Sequence, residues 1–89
     1  MEVVDNGFWD NQKFIGDFIC KNSQDYIGVS LCRRNKQEYV DIRQYYSNDG
    51  IRLFPTKKGI LLRLDLAVQV FKKMEKIIMR FVGGEEDYE

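Results

Sequence analysis

Two short stretches hold most of the side chains with obvious chemical capacity: Tyr39-Val40-Asp41-Ile42-Arg43-Gln44-Tyr45-Tyr46 and Phe54-Pro55-Thr56-Lys57-Lys58-Gly59-Ile60. The first favours a β-strand and the second leads from the end of a strand into a basic loop, so together they set phenol rings, a guanidinium and ammonium groups along one short antiparallel sheet. Cations that track phosphates, beside flat rings that meet unpaired bases, are what a general binder of single-stranded nucleic acid needs. Tyr39, Tyr45 and Tyr46 are the candidate stacking platforms; the alternative for Tyr45 and Tyr46 is a place in the core or in a dimer contact. Arg43 could instead form an ion pair with Asp41 or Glu38. Lys57 and Lys58 could simply solubilise a loop, and Lys72, Lys73, Lys76 and Arg80 read as the solvated face of a helix.

Enzymatic chemistry finds no foothold. The chain has no His, its two Cys lack metal-ligand companions, and neither a Gly-rich phosphate loop nor a Ser nucleophile motif occurs. No pair of carboxylates is placed for acid and base work. No cofactor and no metal are expected.

Lys plus Arg and Asp plus Glu balance at 14 each, yet their distribution is uneven. Residues 1–25 carry a net −3, residues 26–63 a net +5, residues 64–82 a net +2, and residues 83–89 a net −4. A basic field concentrated on the middle of the chain suits a polyanion docking there, although an ordinary mixed surface with acidic ends fits the same counts. The acidic, aromatic start from Met1 to Trp9 lacks the features of a signal peptide, and no apolar run is long enough to span a bilayer. The expectation is a soluble, intracellular protein without membrane contact, its Cys20 and Cys32 remaining as buried or half-buried thiols.

The elements that must position the two stretches can be read from periodicity. Residues 1–25 form an N-terminal arm in which Phe14, Ile15, Phe18 and Ile19 suit a short helix and the aromatics and Gly16 suit a strand equally well. Ile27, Val29 and Leu31 alternate with Gly28, Ser30 and Cys32, which predicts a strand over 26–32. Arg33 to Gln37 is a cationic connection, and a second strand covers 38–46 with Val40 and Ile42 on one face and Tyr39, Asp41, Arg43 and Tyr45 on the other. Ser47-Asn48-Asp49-Gly50 is a turn. A third strand covers 51–54 and ends at Pro55, Thr56 to Gly59 is an exposed basic loop, and a fourth strand covers 60–64. After Asp65 as cap, Ala67, Phe71, Met74, Ile78 and Phe81 step along one helical stripe that Gly83-Gly84 ends.

The fold class is therefore α+β, a four-stranded antiparallel curved sheet followed by one C-terminal helix, with the domain over 26–82 and a disordered acidic tail over 83–89. With 89 residues, only about 60 to 65% of the unfolded surface is buried on folding, so the apolar helix, through Phe71, Met74, Ile77 and Ile78, is expected to make a homodimer.

The order of these elements, with Val-Asp-Ile-Arg-Gln-Tyr-Tyr at 40–46 and Pro-Thr-Lys-Lys-Gly-Ile at 55–60, resembles the single-stranded DNA-binding domain of the transcriptional coactivator family positive cofactor four, from about Tyr26 to Ile77. The resemblance implies a dimer whose curved sheets carry single-stranded DNA. It implies largely sequence-independent binding to melted DNA in transcription, with roles in replication or repair, and the transcription machinery as partner. Arg43 matches the strand arginine, Tyr46 takes the place of a strand-end aromatic usually seen as Trp, and Pro55, Lys57, Lys58 and Gly59 match the basic loop. Between the first two strands the family has an aromatic and lysines; this chain offers Arg33, Arg34 and Lys36 with no aromatic, and the guanidinium planes of the two arginines can stack. The family's eukaryotic members carry a Ser- and Lys-rich region upstream where this chain has its acidic arm, which leaves open a viral or bacterial origin as well as a nuclear one. Two other readings stand beside this one: RNA as the target, since nothing visible rejects a ribose hydroxyl, and a dimeric module that receives an acidic peptide such as its own Glu85 to Glu89.

Overall fold

A computed structural model describes residues 1–83 of the chain. Six strands and one helix follow in order: β1 Glu2–Val3, β2 Asn11–Phe14, β3 Ile19–Cys20, β4 Asp25–Arg34, β5 Gln37–Tyr46, β6 Arg52–Arg63 and α1 Leu64–Val82. The sheet order is β1-β6-β5-β4-β2, with β3 pairing β4 at the side. All pairs are antiparallel except β1 with β6, which is parallel. The class is α+β, as expected, with a mixed sheet in place of the four-stranded antiparallel one.

Two differences from the expected strands have clear causes. Arg33 and Arg34 belong to β4, because β4 and β5 close through only Asn35 and Lys36, with φ 51° and 65°. Positive φ at both central residues gives the primed two-residue turn that matches strand twist, and Asn at the first of them tolerates it. The third and fourth expected strands are one strand, β6, which runs through the stretch expected as a loop. Arg43 pairs with Gly59 and Tyr45 with Pro55, so Thr56, Lys57 and Lys58 lie opposite Gln44 alone. The surplus is taken up as a bulge, which bends the strand without ending it. Pro55 is tolerated because it sits beside this break in the ladder.

The N-terminal segment resolves into strands for a long-range reason. Phe14 and Phe18 pack with Tyr45, ring centroids 4.9 Å apart for Phe14–Phe18, 5.8 Å for Phe14–Tyr45 and 5.2 Å for Phe18–Tyr45. Gly16, at φ 67°, turns the chain between them. Phe18 lies so close over Gly28 that a Cβ there would come within 2.4 Å of its ring. The fully buried side chains Tyr45, Leu53, Asp41, Cys32 and Ser30 include the floor beneath this cover. Cys32 is buried as expected and burial pushes its thiol pKa up, whereas Cys20 is exposed, at the end of a two-residue edge strand.

The helix starts two residues earlier than Asp65 as cap would set it. Arg63 is its N-cap without a side-chain cap bond, and Asp65 sits in the first turn, 3.4 Å from the Arg63 guanidinium. At the other end the Gly83 N–H donates to the Met79 carbonyl. α1 contacts β5 and β6, yet none of its side chains is buried. The sheet face with Ile27, Val29, Leu31, Val40 and Ile42 is likewise only half-buried. The radius of gyration, 15.1 Å, exceeds the roughly 12 Å of a compact chain of this length. The expected acidic tail, apart from Gly83, lies outside the described residues.

Candidate nucleic-acid interface

Strand alternation and the unbroken β4–β5 register put Tyr39, Asp41, Arg43 and Tyr45 on one face, opposite Cys32, Ser30, Gly28 and Tyr26. Asp41 is 2% exposed, and Arg43 answers its charge from two residues along the same strand: Nε donates to both carboxylate oxygens at 3.2 and 3.0 Å, and Nη2 donates to Oδ1 at 2.9 Å. Hydrogen bonding to Asp41 raises the Arg43 pKa, so the guanidinium stays charged. Nη1 donates to the Thr56 carbonyl at 2.9 Å. Each terminal nitrogen keeps a second N–H beyond these bonds. Arg43 thus ties β5 to the start of the bulge while retaining donors for a ligand.

The bulge itself is a built feature. Thr56 Oγ1 donates to the Gln44 carbonyl at 2.8 Å, and the Lys58 N–H donates to Thr56 Oγ1 at 3.2 Å. Lys57 and Lys58 are thereby displayed as exposed ammonium groups from a braced backbone. Gly59 has a steric role: a Cβ would come within 2.7 Å of the Ile42 carbonyl oxygen and 2.9 Å of the Arg43 Cα. Only glycine lets β6 close on β5 again directly after the bulge.

The structure brings Arg43, Pro55 and Lys57 together around one cleft of about 420 Å³, with Gly59 directly across from Arg43. Arg34 is on the same face by alternation, its guanidinium 4.0 Å from the Phe8 ring centroid. Arg33 points the other way, 3.6 Å from Glu38, and Lys36 is at the exposed tip of the β4–β5 turn. Tyr46 does not join the cleft; alternation turns it from Tyr45 at the strand's end, beside its pair Phe54. Tyr45 is buried and cannot stack on a base, and burial pushes its pKa up to about 12. Tyr39 is half-buried and covered by Trp9, ring centroids 5.5 Å apart.

Sequence reasoning passed over Phe8, Trp9 and Thr56. Their shared signal is weak: Trp9 is the sole Trp, and Asp5-Asn6-Gly7 before Phe8 has turn composition. Among the described residues no group of three or more His, Cys, Asp or Glu could hold a metal ion, and no helix is long and apolar enough to cross a membrane.

Comparison with known proteins places this geometry. No curated protein sequence matches the chain. A PC4 homolog from Burkholderia pseudomallei is similar in structure with a TM-score of 0.65 and 26% identity, covering 78% of this chain and 92% of that one in an orthorhombic crystal form. The tetragonal form gives a TM-score of 0.63 and 28% identity over 75% and 97%. A bacteriophage T5 homolog of the eukaryotic transcription coactivator PC4, implicated in recombination-dependent DNA replication, shares the fold, with a TM-score of 0.61 and 18% identity over 79% and 80%. The family model described as Transcriptional Coactivator p15 (PC4) matches residues 22–74, which take in β4, β5, β6 and the first half of α1. The chain therefore belongs to the Transcriptional Coactivator p15 (PC4) family, with the nucleic-acid-binding, coactivator-like and non-enzymatic role that membership carries.

Proposed function

We propose that the protein is a homodimeric, largely sequence-independent binder of single-stranded DNA that acts on melted DNA in transcription and in replication or repair. The observation that carries this reading is the β6 bulge, which holds Lys57 and Lys58 out on a hydrogen-bonded backbone next to Arg43. Phosphates would meet Lys57, Lys58, Arg43 and Arg34, with Lys36 at the far turn and Arg33 at the rim. Pro55 and Gly59 shape the bulge, and Tyr46 offers a stacking ring where the strand passes over the sheet's end. The domain that binds is 26–82, and its partner copy docks on the apolar side of α1.

The loop lysines give the direct test. Removing two phosphate contacts lowers the salt slope on a single strand by about 1.4, and reversing both charges adds repulsion, so Lys57→Glu with Lys58→Glu should weaken binding about 100-fold at 0.1 M salt. Fluorescence polarisation with a labelled oligonucleotide of about 20 nucleotides measures it. Both lysines are exposed, so circular dichroism should be unchanged. Equal affinity and slope in variant and wild type would remove the bulge from the interface.

A further inference from the structure

The cleft in front of Arg43 has a second wall made by the N-terminal arm. Residues 5–9 are held at both ends. Before them, the Val4 N–H donates to the Leu53 carbonyl at 2.9 Å; after them, the Asp10 N–H donates to the Arg33 carbonyl at 2.8 Å and the Asp10 carboxylate accepts from the Asn35 N–H at 2.9 Å. Between these anchors two side-chain turns fix the backbone: Asp5 Oδ1 accepts from the Gly7 N–H at 2.8 Å and Asn6 Oδ1 from the Phe8 N–H at 3.0 Å. Gly7, at φ 75°, permits the bend. The product is a braced loop that presents two aromatic rings to the cleft, Phe8 and Trp9.

Those rings are arranged as a platform. Trp9 leans on Tyr39, Phe8 stands edge-on to Trp9 at 4.8 Å and 89°, and the Arg34 guanidinium caps the Phe8 ring at 4.0 Å. Phe8 nevertheless remains 45% exposed, a costly position for a ring that neighbouring turns hold in place. Across the gap stand Arg43, Pro55 and Lys57. About 420 Å³ lies within the range of small-ligand pockets. Asp5 also lines the space and Asp41 forms part of the floor, the latter already matched by Arg43.

We propose that this cleft is a pocket for one unpaired base of the bound strand, with Phe8 and Trp9 as its stacking wall and Arg34 and Lys57 holding the flanking phosphates. The pocket rests on the reading given under Proposed function and adds to it residues of the arm, outside the 22–74 stretch that the family model matches. A guanidinium stacked on a ring keeps its in-plane N–H groups for phosphate, so Arg34 can serve both partners at once. Stacking on Phe8 is indifferent to base identity, because every base has a π-face.

Trp9 is the only Trp in the chain, so its emission reports on this cleft alone. An unlabelled oligothymidylate of about 20 nucleotides is titrated into the full chain while polarisation of a labelled copy records total binding in parallel. Trp9 emission is expected to change along the same isotherm as polarisation. Phe8→Leu keeps an apolar side chain but lacks the π-face, and it should weaken binding between about 5-fold and 100-fold with its melting temperature unchanged. Binding by polarisation with silent Trp9 emission and unaltered Phe8→Leu affinity would overturn the pocket and leave the DNA reading standing. Tighter binding by Phe8→Leu would also overturn it, showing that the arm screens the sheet. Absence of binding by polarisation would sink the DNA reading and the pocket with it.

Discussion

Arg43→Ala is expected to cost about 3 to 5 kcal/mol of folding stability, because it leaves a buried carboxylate without its partner. Asp41 is 2% exposed, and the three hydrogen bonds that its carboxylate accepts among the described residues all come from Arg43. The arginine also ties the Thr56 carbonyl at the bulge, so its loss frees the segment that displays Lys57. Urea denaturation at fixed protein concentration measures the effect. The double variant Asp41→Ala with Arg43→Ala should recover part of the loss, since no unpaired charge stays behind. A single-variant loss below about 1 kcal/mol would mean that water reaches the pair and screens it. The strand arginine holds the fold as well as being a proposed ligand donor, so any impaired DNA binding by Arg43→Ala has to be read beside its stability.

The second large effect concerns the helix. Phe71 is 60% exposed and Ile78 52% exposed on a single chain, so glutamate at both positions costs the isolated chain little and keeps good helix propensity. In a dimer the same carboxylates would be buried against apolar side chains without partners, at several kcal/mol each. Phe71→Glu with Ile78→Glu should raise the dimer dissociation constant at least about a thousand-fold. Light scattering should then give the 10.6 kDa of one chain, where the unaltered protein is expected to give twice that mass. A mass of one chain for both proteins at micromolar concentration would contradict a dimer through the helix.

Much of the fold was legible because it is local. The alternation of Ile27, Val29 and Leu31, the shared face of Asp41, Arg43 and Tyr45, and the helical stripe through Phe71 and Met74 all follow from period alone. The Ser47 to Gly50 turn was equally plain, and Asp49 justifies it by accepting from the Ile51 and Arg52 N–H groups at 2.8 and 2.9 Å, which holds its carboxyl well below the usual range. The continuity of β6 was not legible, since Pro55 and two lysines look like a break and only the cross-strand partner Gln44 shows a bulge. The arm was illegible for the same reason: Phe14 and Phe18 sit at a helical spacing, and their packing on Tyr45 and Gly28 decides the outcome. At the proposed site, Lys57, Lys58 and Arg43 could be singled out from residue type and spacing. Phe8 and Trp9 could not, because their place beside Arg34 and Tyr39 depends on pairing between distant segments.

The most direct test of single-strand binding is a polarisation titration of the unaltered protein with a labelled single strand of about 20 nucleotides at two salt concentrations, competed by duplex, by RNA of the same sequence and by an acidic peptide. Saturable binding that weakens with salt, and that unlabelled single-stranded DNA displaces well ahead of duplex and peptide, is the predicted result. No binding at low salt, or displacement by the acidic peptide at concentrations as low as by DNA, would contradict it.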